Sequence, residues 1–107
     1  MPFVLHKEPV PTSATFNVAG NFHIVTFDYF VEVVGAAPLG WTGRHNAFTR
    51  TFTNQADDTP ISIRIDSTQG AANPGADVIS YNTALGTLID NLGHAVASFT
   101  DFPVVAV

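Results

Sequence analysis

The sequence predicts an α+β fold, an antiparallel sheet of four or five strands with one helix from the C-terminal half packed on one face. Three observations carry this. Residues 22–34 alternate with a period of two and are mostly β-branched or aromatic, the mark of a strand. Residues 61–66 alternate cleanly, with Ile61, Ile63 and Ile65 inward and Ser62, Arg64 and Asp66 outward. After Asn82 the period changes: Leu85, Leu88, Ile89, Leu92, Val96 and Phe99 fall at helical spacings. The alternative is an all-β sandwich or barrel, in which residues 83–99 form another hairpin.

Taken in order, residues 1–14 contain Pro2, Pro9 and Pro11 and read as an extended N-terminal arm with an apolar tip, Phe3, Val4 and Leu5. Residues 15–18 form a short strand. Ala19, Gly20 and Asn21 then supply a turn, since Gly and Asn tolerate positive φ. The strand of residues 22–34 would span roughly 40 Å at about 3.3 Å per residue, so a bend or bulge is expected within it. Its outer face mixes Asp28 and Glu32 with Ile24, Phe30 and Val34, which calls for partial cover by the helix, the arm or another subunit. Residues 35–43 form a loop, with three glycines and Pro38. Residues 48–53 form a strand and residues 54–60 a polar turn before the Ile-rich strand. Residues 67–77 form a second loop, and residues 78–81 a short strand. Asn82 or Thr83 can cap the helix. Against the helix, Gly86 and Gly93 each cost about 1 kcal/mol relative to Ala, and residues 90–93 would suit a four-residue hairpin loop. Pro103 ends that segment, and residues 104–107 are a last strand candidate.

A chain of 107 residues fits one domain. Hydrophobic residues are 46% and charged residues 12%, about half the usual charged share, so the chain folds and its surface is rich in Thr, Asn, Ser and apolar groups. The net charge is −5, with Lys7, Arg44, Arg50 and Arg64 scattered, which argues against nucleic-acid binding and against anionic membranes. No cysteine is present, which removes disulfides, thiolate metal sites and cysteine catalysis. The N-terminus does not read as a secretory signal, and no apolar run approaches the roughly 20 residues of a membrane helix.

The catalytic motifs tested fail on chemistry. Gly35 and Gly40 have the spacing of a phosphate loop, but Trp41 stands where a lysine must meet the phosphates. His6, His23, His45 and His94 show no metal-ligand spacing; Asp90 and His94 would share a helix face, but two ligands do not make a site. Asp28 and Glu32 would lie roughly 13 Å apart along a strand, too far for a glycosidase pair, and read better as partners of Arg50 or Arg64. No Gly-x-Ser-x-Gly elbow surrounds any serine. The expectation is therefore no enzyme, no metal and no cofactor.

Two features point to assembly or binding. The arm tip Phe3, Val4 and Leu5 offers an interface. So does a strip of small residues that includes Gly86 and Gly93, where backbones can approach closely. In composition the chain resembles small virion components such as a phage capsid decoration or tail subunit. That resemblance implies a structural protein forming a homo-oligomer or part of a larger protein shell, in the virion; otherwise a cytoplasmic protein is expected. The alternative is a carbohydrate- or small-ligand-binding module centred on the Trp41 loop, with Arg44, His45 and Asn46 as polar partners.

Overall fold

The computed structural model describes residues 7–45, 48–68 and 77–107. Among the described residues there is no helix, which overturns the α+β expectation and favours the all-β alternative. The strands are β1 (Pro11–Asn17), β2 (Phe22–Phe27), β3 (Glu32–Val33), β4 (Trp41–His45), β5 (Phe48–Thr49), β6 (Phe52–Thr59), β7 (Ser62–Ser67), β8 (Asp77–Tyr81), β9 (Leu88–Ile89) and β10 (Phe99–Ala106). Eight form one sheet in the order β5-β4-β8-β10-β1-β2-β7-β6, and β3 pairs with β9 separately. Neighbours run antiparallel, except that β1 lies parallel to β10, with Thr15 beside Val105.

Alternation decides which face is core. Ala14 and Phe16 on β1, Val25 and Phe27 on β2, Ile63 and Ile65 on β7, and Ile79 and Tyr81 on β8 all turn to one buried face. The sheet is strongly curled, a half-barrel. β4 and β6 are six steps apart in the strand order, roughly 29 Å if the sheet were flat, at about 4.8 Å per step. Yet the Trp41 indole Nε1 on β4 donates to the Gln55 Oε1 on β6 at 3.0 Å. The two ends of the order, β5 and β6, are consecutive in the chain with only Arg50 and Thr51 between them. Arg50 N donates to Gly43 O on β4, and Thr51 O accepts from Thr68 N just past β7. This dipeptide ties both ends of the sheet together and forms a seam.

The stretch 22–34 is not one strand. β2 ends at Phe27, the chain bends at Asp28 and Tyr29, and Glu32 and Val33 pair instead with Ile89 and Leu88. Lys7 Nζ and Val10 N both donate to the Asp28 carboxylate, which holds the bend. The β3–β9 ribbon covers one end of the curl, burying Val31, Leu88 and Val96 in the common core. Leu88 N there donates to the Tyr81 hydroxyl at 2.9 Å. At its N-terminal end the sheet begins earlier than expected: Pro11, Ser13 and Ala14 already pair with β2, so the chain of residues 1–14 enters the sheet before it ends.

The region expected to be helical is a turn followed by a small hairpin. Asn82 O accepts from Leu85 N and Gly86 N. Ile89 bridges Ala95, Asp90 N donates to His94 O, and Val96 N donates to Leu88 O. The Asp90 carboxylate accepts from Leu92 N and His94 N across the tip, and Gly93 takes φ 80°. The apolar stripe does not make one face: Leu88 and Val96 are buried, whereas Leu85 is 65% exposed.

Candidate functional site

The two ends of the curl differ in chemistry. At the end under the β3–β9 ribbon, Trp41, Tyr81, Phe99 and Phe27 form an aromatic cluster. Trp41 lies 4.8 Å from Tyr81 and 5.9 Å from Phe99, and Phe27 lies 6.1 Å from Phe99, between ring centroids. Gln55 locks this end. Its Nε2 donates to Gly35 O and to Thr87 Oγ1, its Oε1 accepts from Trp41, and its backbone N donates to Ala36 O. A buried amide with every group used is an ordering element, because each lost partner would strand a desolvated polar atom.

The opposite end is polar and buried. Arg50 and Asp77 form a two-pronged ion pair, Nε to Oδ1 at 3.2 Å and Nη2 to Oδ2 at 2.8 Å, with both side chains almost wholly inaccessible. The guanidinium lies 4.1 Å over the Phe16 ring. Phe16 in turn lies 4.7 Å from His23, and His23 meets the edge of Phe52 at 5.4 Å. His23 is fully buried, and among the described residues neither ring nitrogen has a hydrogen-bond partner. Burial pushes its pKa down to about 4; Asp77 opposes that shift and Arg50 reinforces it.

The residues expected to bind a ligand do not converge. Trp41 is 5% exposed and its indole is part of the core. Arg44, three residues on, points to the opposite face of β4 by strand alternation, where it is exposed and pairs with Asp101 at 3.0 Å. His45 is partly buried, opposite Phe48 and Asp77 in register. Asn46 lies outside the described residues, as do Phe3, Val4 and Leu5. Gly86 and Gly93 do not share a strip. Gly86 packs flat against Tyr81, where a Cβ would collide with the phenol, and Gly93 sits at the exposed hairpin tip. Asp28 and Glu32 stand on different elements; Arg50 pairs with Asp77 and Arg64 with Asp66 instead. Asp90 and His94 are joined through the hairpin backbone, and no group of three or more His, Asp or Glu among the described residues could hold a metal ion.

Two surfaces among the described residues bear on binding. One is an open cleft of about 470 Å³ beside the 82–86 turn, floored by Trp41, Tyr81 and Phe99 and rimmed by Thr42, Ser80 and Leu85. The other is the outer face where the parallel pair β1 and β10 ends. Val105 and Val107 project there at 63% and 66% exposure, and the exposed Val18 is tied alongside by its N–H to Val107 O. Thr15 lies beside Val105 and Pro103 two residues before it, so its nearest described neighbours on β1 and β10 are uncharged, and the nearest charge along β10 is Asp101, paired with Arg44.

Sequence reasoning missed Asp77 and Gln55, because each sat in a stretch read as loop or polar turn. A signal for Asp77 was available in Arg50, which alternates with Phe48 and Phe52: a guanidinium on an apolar strand face needs a carboxylate. No protein-family model matches the chain, and no curated protein and no solved structure matches it significantly.

Proposed function

We propose that the protein is a non-enzymatic structural subunit that assembles with copies of itself or into a larger protein shell, and that the best-fitting role is a small virion component such as a phage capsid decoration or tail subunit. The observation that carries this reading is the exposed aliphatic patch where β1 and β10 end. Val105 is exposed on β10, and Val18 and Val107 are exposed just past the ends of β1 and β10, the two most central strands of the sheet. Aliphatic side chains grouped without a neighbouring charge are suited to burial against a partner, and repetition under symmetry would multiply a small contact. The virion role itself rests on composition alone, the low charge and the Thr- and Asn-rich polar content.

The test is sedimentation across a concentration series, for the wild type and for Val105→Asp with Val107→Asp. The expected result is a concentration-dependent oligomer that the double variant disperses while its circular dichroism stays that of a β protein. A wild type that stays monomeric at high concentration and beside its candidate shell would end this reading.

The cleft beside Leu85 favours a second reading, a module for a small neutral ligand. Its rim is hydroxyl-bearing, and among the described residues its lining has no charged side chain. Because the Trp41 indole is buried, contact would fall to Phe99 and Leu85. Leu85→Ala with unchanged binding across a neutral glycan array would remove it.

A further inference from the structure

We propose that His23 is an acid-operated latch on the seam of the sheet: while neutral it seals the polar end of the curl, and on protonation it loosens the Arg50 and Phe52 segment from the strands it ties together. This does not depend on the assembly reading.

The argument is geometric. The His23 ring fills a slot between Phe16 on β1 and Phe52 at the start of β6, and Ile65 of β7 is its neighbour in register. None of these three side chains can accept an N–H in a conventional hydrogen bond. The charged groups that act on it are Arg50, from the seam, and Asp77, from β8, and these two already satisfy one another. The undescribed stretches 46–47 and 69–76 contain no ionisable side chain. An imidazolium formed in the slot would be a desolvated cation beside a guanidinium, with no carboxylate of its own.

Relief has a natural direction. Phe52 is one wall of the slot, and Arg50 lies two residues before it. Swinging this segment outward admits water to His23, and it breaks the Arg50 N to Gly43 O and Thr68 N to Thr51 O bonds that tie the sheet ends and parts Arg50 from Asp77. The other walls, β1 and β2, are paired on both sides and cannot move without dismantling the sheet.

The sign follows from linkage. With a native pKa of about 4 against an ordinary 6.5, the open and unfolded states bind a proton more readily than the closed state. Stability attributable to neutral His23 is fully present above pH 6.5 and is lost as the pH falls from 6.5 towards 4. Between those values one extra proton is taken up on opening, so the opening constant rises about tenfold per pH unit, roughly 300-fold in all.

The test measures amide exchange at the seam, corrected for intrinsic rates, together with denaturant midpoints, from pH 7 to 4.5. Wild type should show faster opening at Arg50, Thr51 and Phe52 as the pH falls, ahead of amides in β1 and β2. His23→Phe, which keeps an aromatic ring in the slot, should abolish this dependence. Titration of the His23 ring protons in the wild type gives the same answer without a variant, with a midpoint well below 6.5 expected. A His23 midpoint near 6.5 overturns the proposal. So does His23→Phe with an unchanged pH dependence at the seam, or a wild type in which acid speeds all amides equally.

Discussion

Trp41 and Gln55 sit six steps apart in an eight-strand order, yet their side chains share a 3.0 Å hydrogen bond. The contact shows how far the sheet curls, and it marks where the curl is held. Gln55 also binds the loop carbonyl of Gly35 and the Thr87 hydroxyl, so one amide links β4, β6, the loop before β4 and the approach to β9.

Gln55→Leu should therefore destabilise the fold although it adds apolar surface. It strands the buried Trp41 N–H, Gly35 O and Thr87 hydroxyl, at about 1–3 kcal/mol for each group that finds no water. Trp41 is the single tryptophan, so its emission follows urea unfolding directly. A midpoint equal to or above wild type would show that the amide is not what holds this end.

At the other end, Arg50 and Asp77 should behave as a unit. Arg50→Met leaves a buried carboxylate and Asp77→Leu a buried guanidinium, and each single change should cost about 3–5 kcal/mol. The double variant should recover most of that loss, because it removes both desolvated charges. A double-mutant cycle by urea denaturation checks this, and additive losses would contradict it.

The short alternating strand was legible in the sequence from Ile63 on: Ile63 and Ile65 are fully buried and Arg64 faces out, but Ile61, expected inward, precedes β7 and is 42% exposed, and Ser62, expected outward, is buried. Residues 22–34 were legible as strand but not as two strands, since the bend at Asp28 depends on Lys7 and Val10, far away in sequence. β6 was read largely as turn because Asn, Asp and Gln are poor strand formers. Its pairing with β7 and the fixed side chain of Gln55 override that preference. The helix expected over residues 83–99 failed on its two glycines. The stripe has helical spacing, but Gly93 takes a positive φ and Gly86 must lie flat on Tyr81, and tertiary contacts outweigh a periodicity of six residues. In the candidate site, Trp41 and Arg44 were legible as conspicuous residues. That they face opposite sides of one strand became clear only once residues 41–45 proved to be β4.

The glycines should separate by mechanism. Gly40 has φ 80°, and a Cβ there would fall 2.6 Å from Asn82 O and 2.7 Å from Gly86 N, both backbone atoms that cannot swing away. Gly35 has φ 81° but open space around it. Gly35→Ala should then cost about 1 kcal/mol of backbone strain alone, and Gly40→Ala markedly more, because the turn that accepts Leu85 N and Gly86 N must shift. Thermal denaturation of the pair would rank them, and equal losses would refute the steric argument.

The hairpin tip gives a last case in which charge, backbone and topology meet. The buried Asp90 carboxylate accepts from Leu92 N at 2.9 Å and His94 N at 3.0 Å, holding residues 90–94 in the shape that lets Ile89 bridge Ala95 and Val96 return to the core. Asp90→Asn keeps one acceptor oxygen in place and should be tolerated. Asp90→Ala leaves two backbone donors to find water and should cost about 1–3 kcal/mol, with faster amide exchange at Leu92 and His94 than in β1. If Asp90→Ala instead raised the helical signal in circular dichroism, the stripe from Leu85 to Phe99 would have a helical preference that the carboxylate alone suppresses. The expected spectrum is that of the wild type, because Tyr81 against Gly86 and the β3–β9 pairing also oppose a helix.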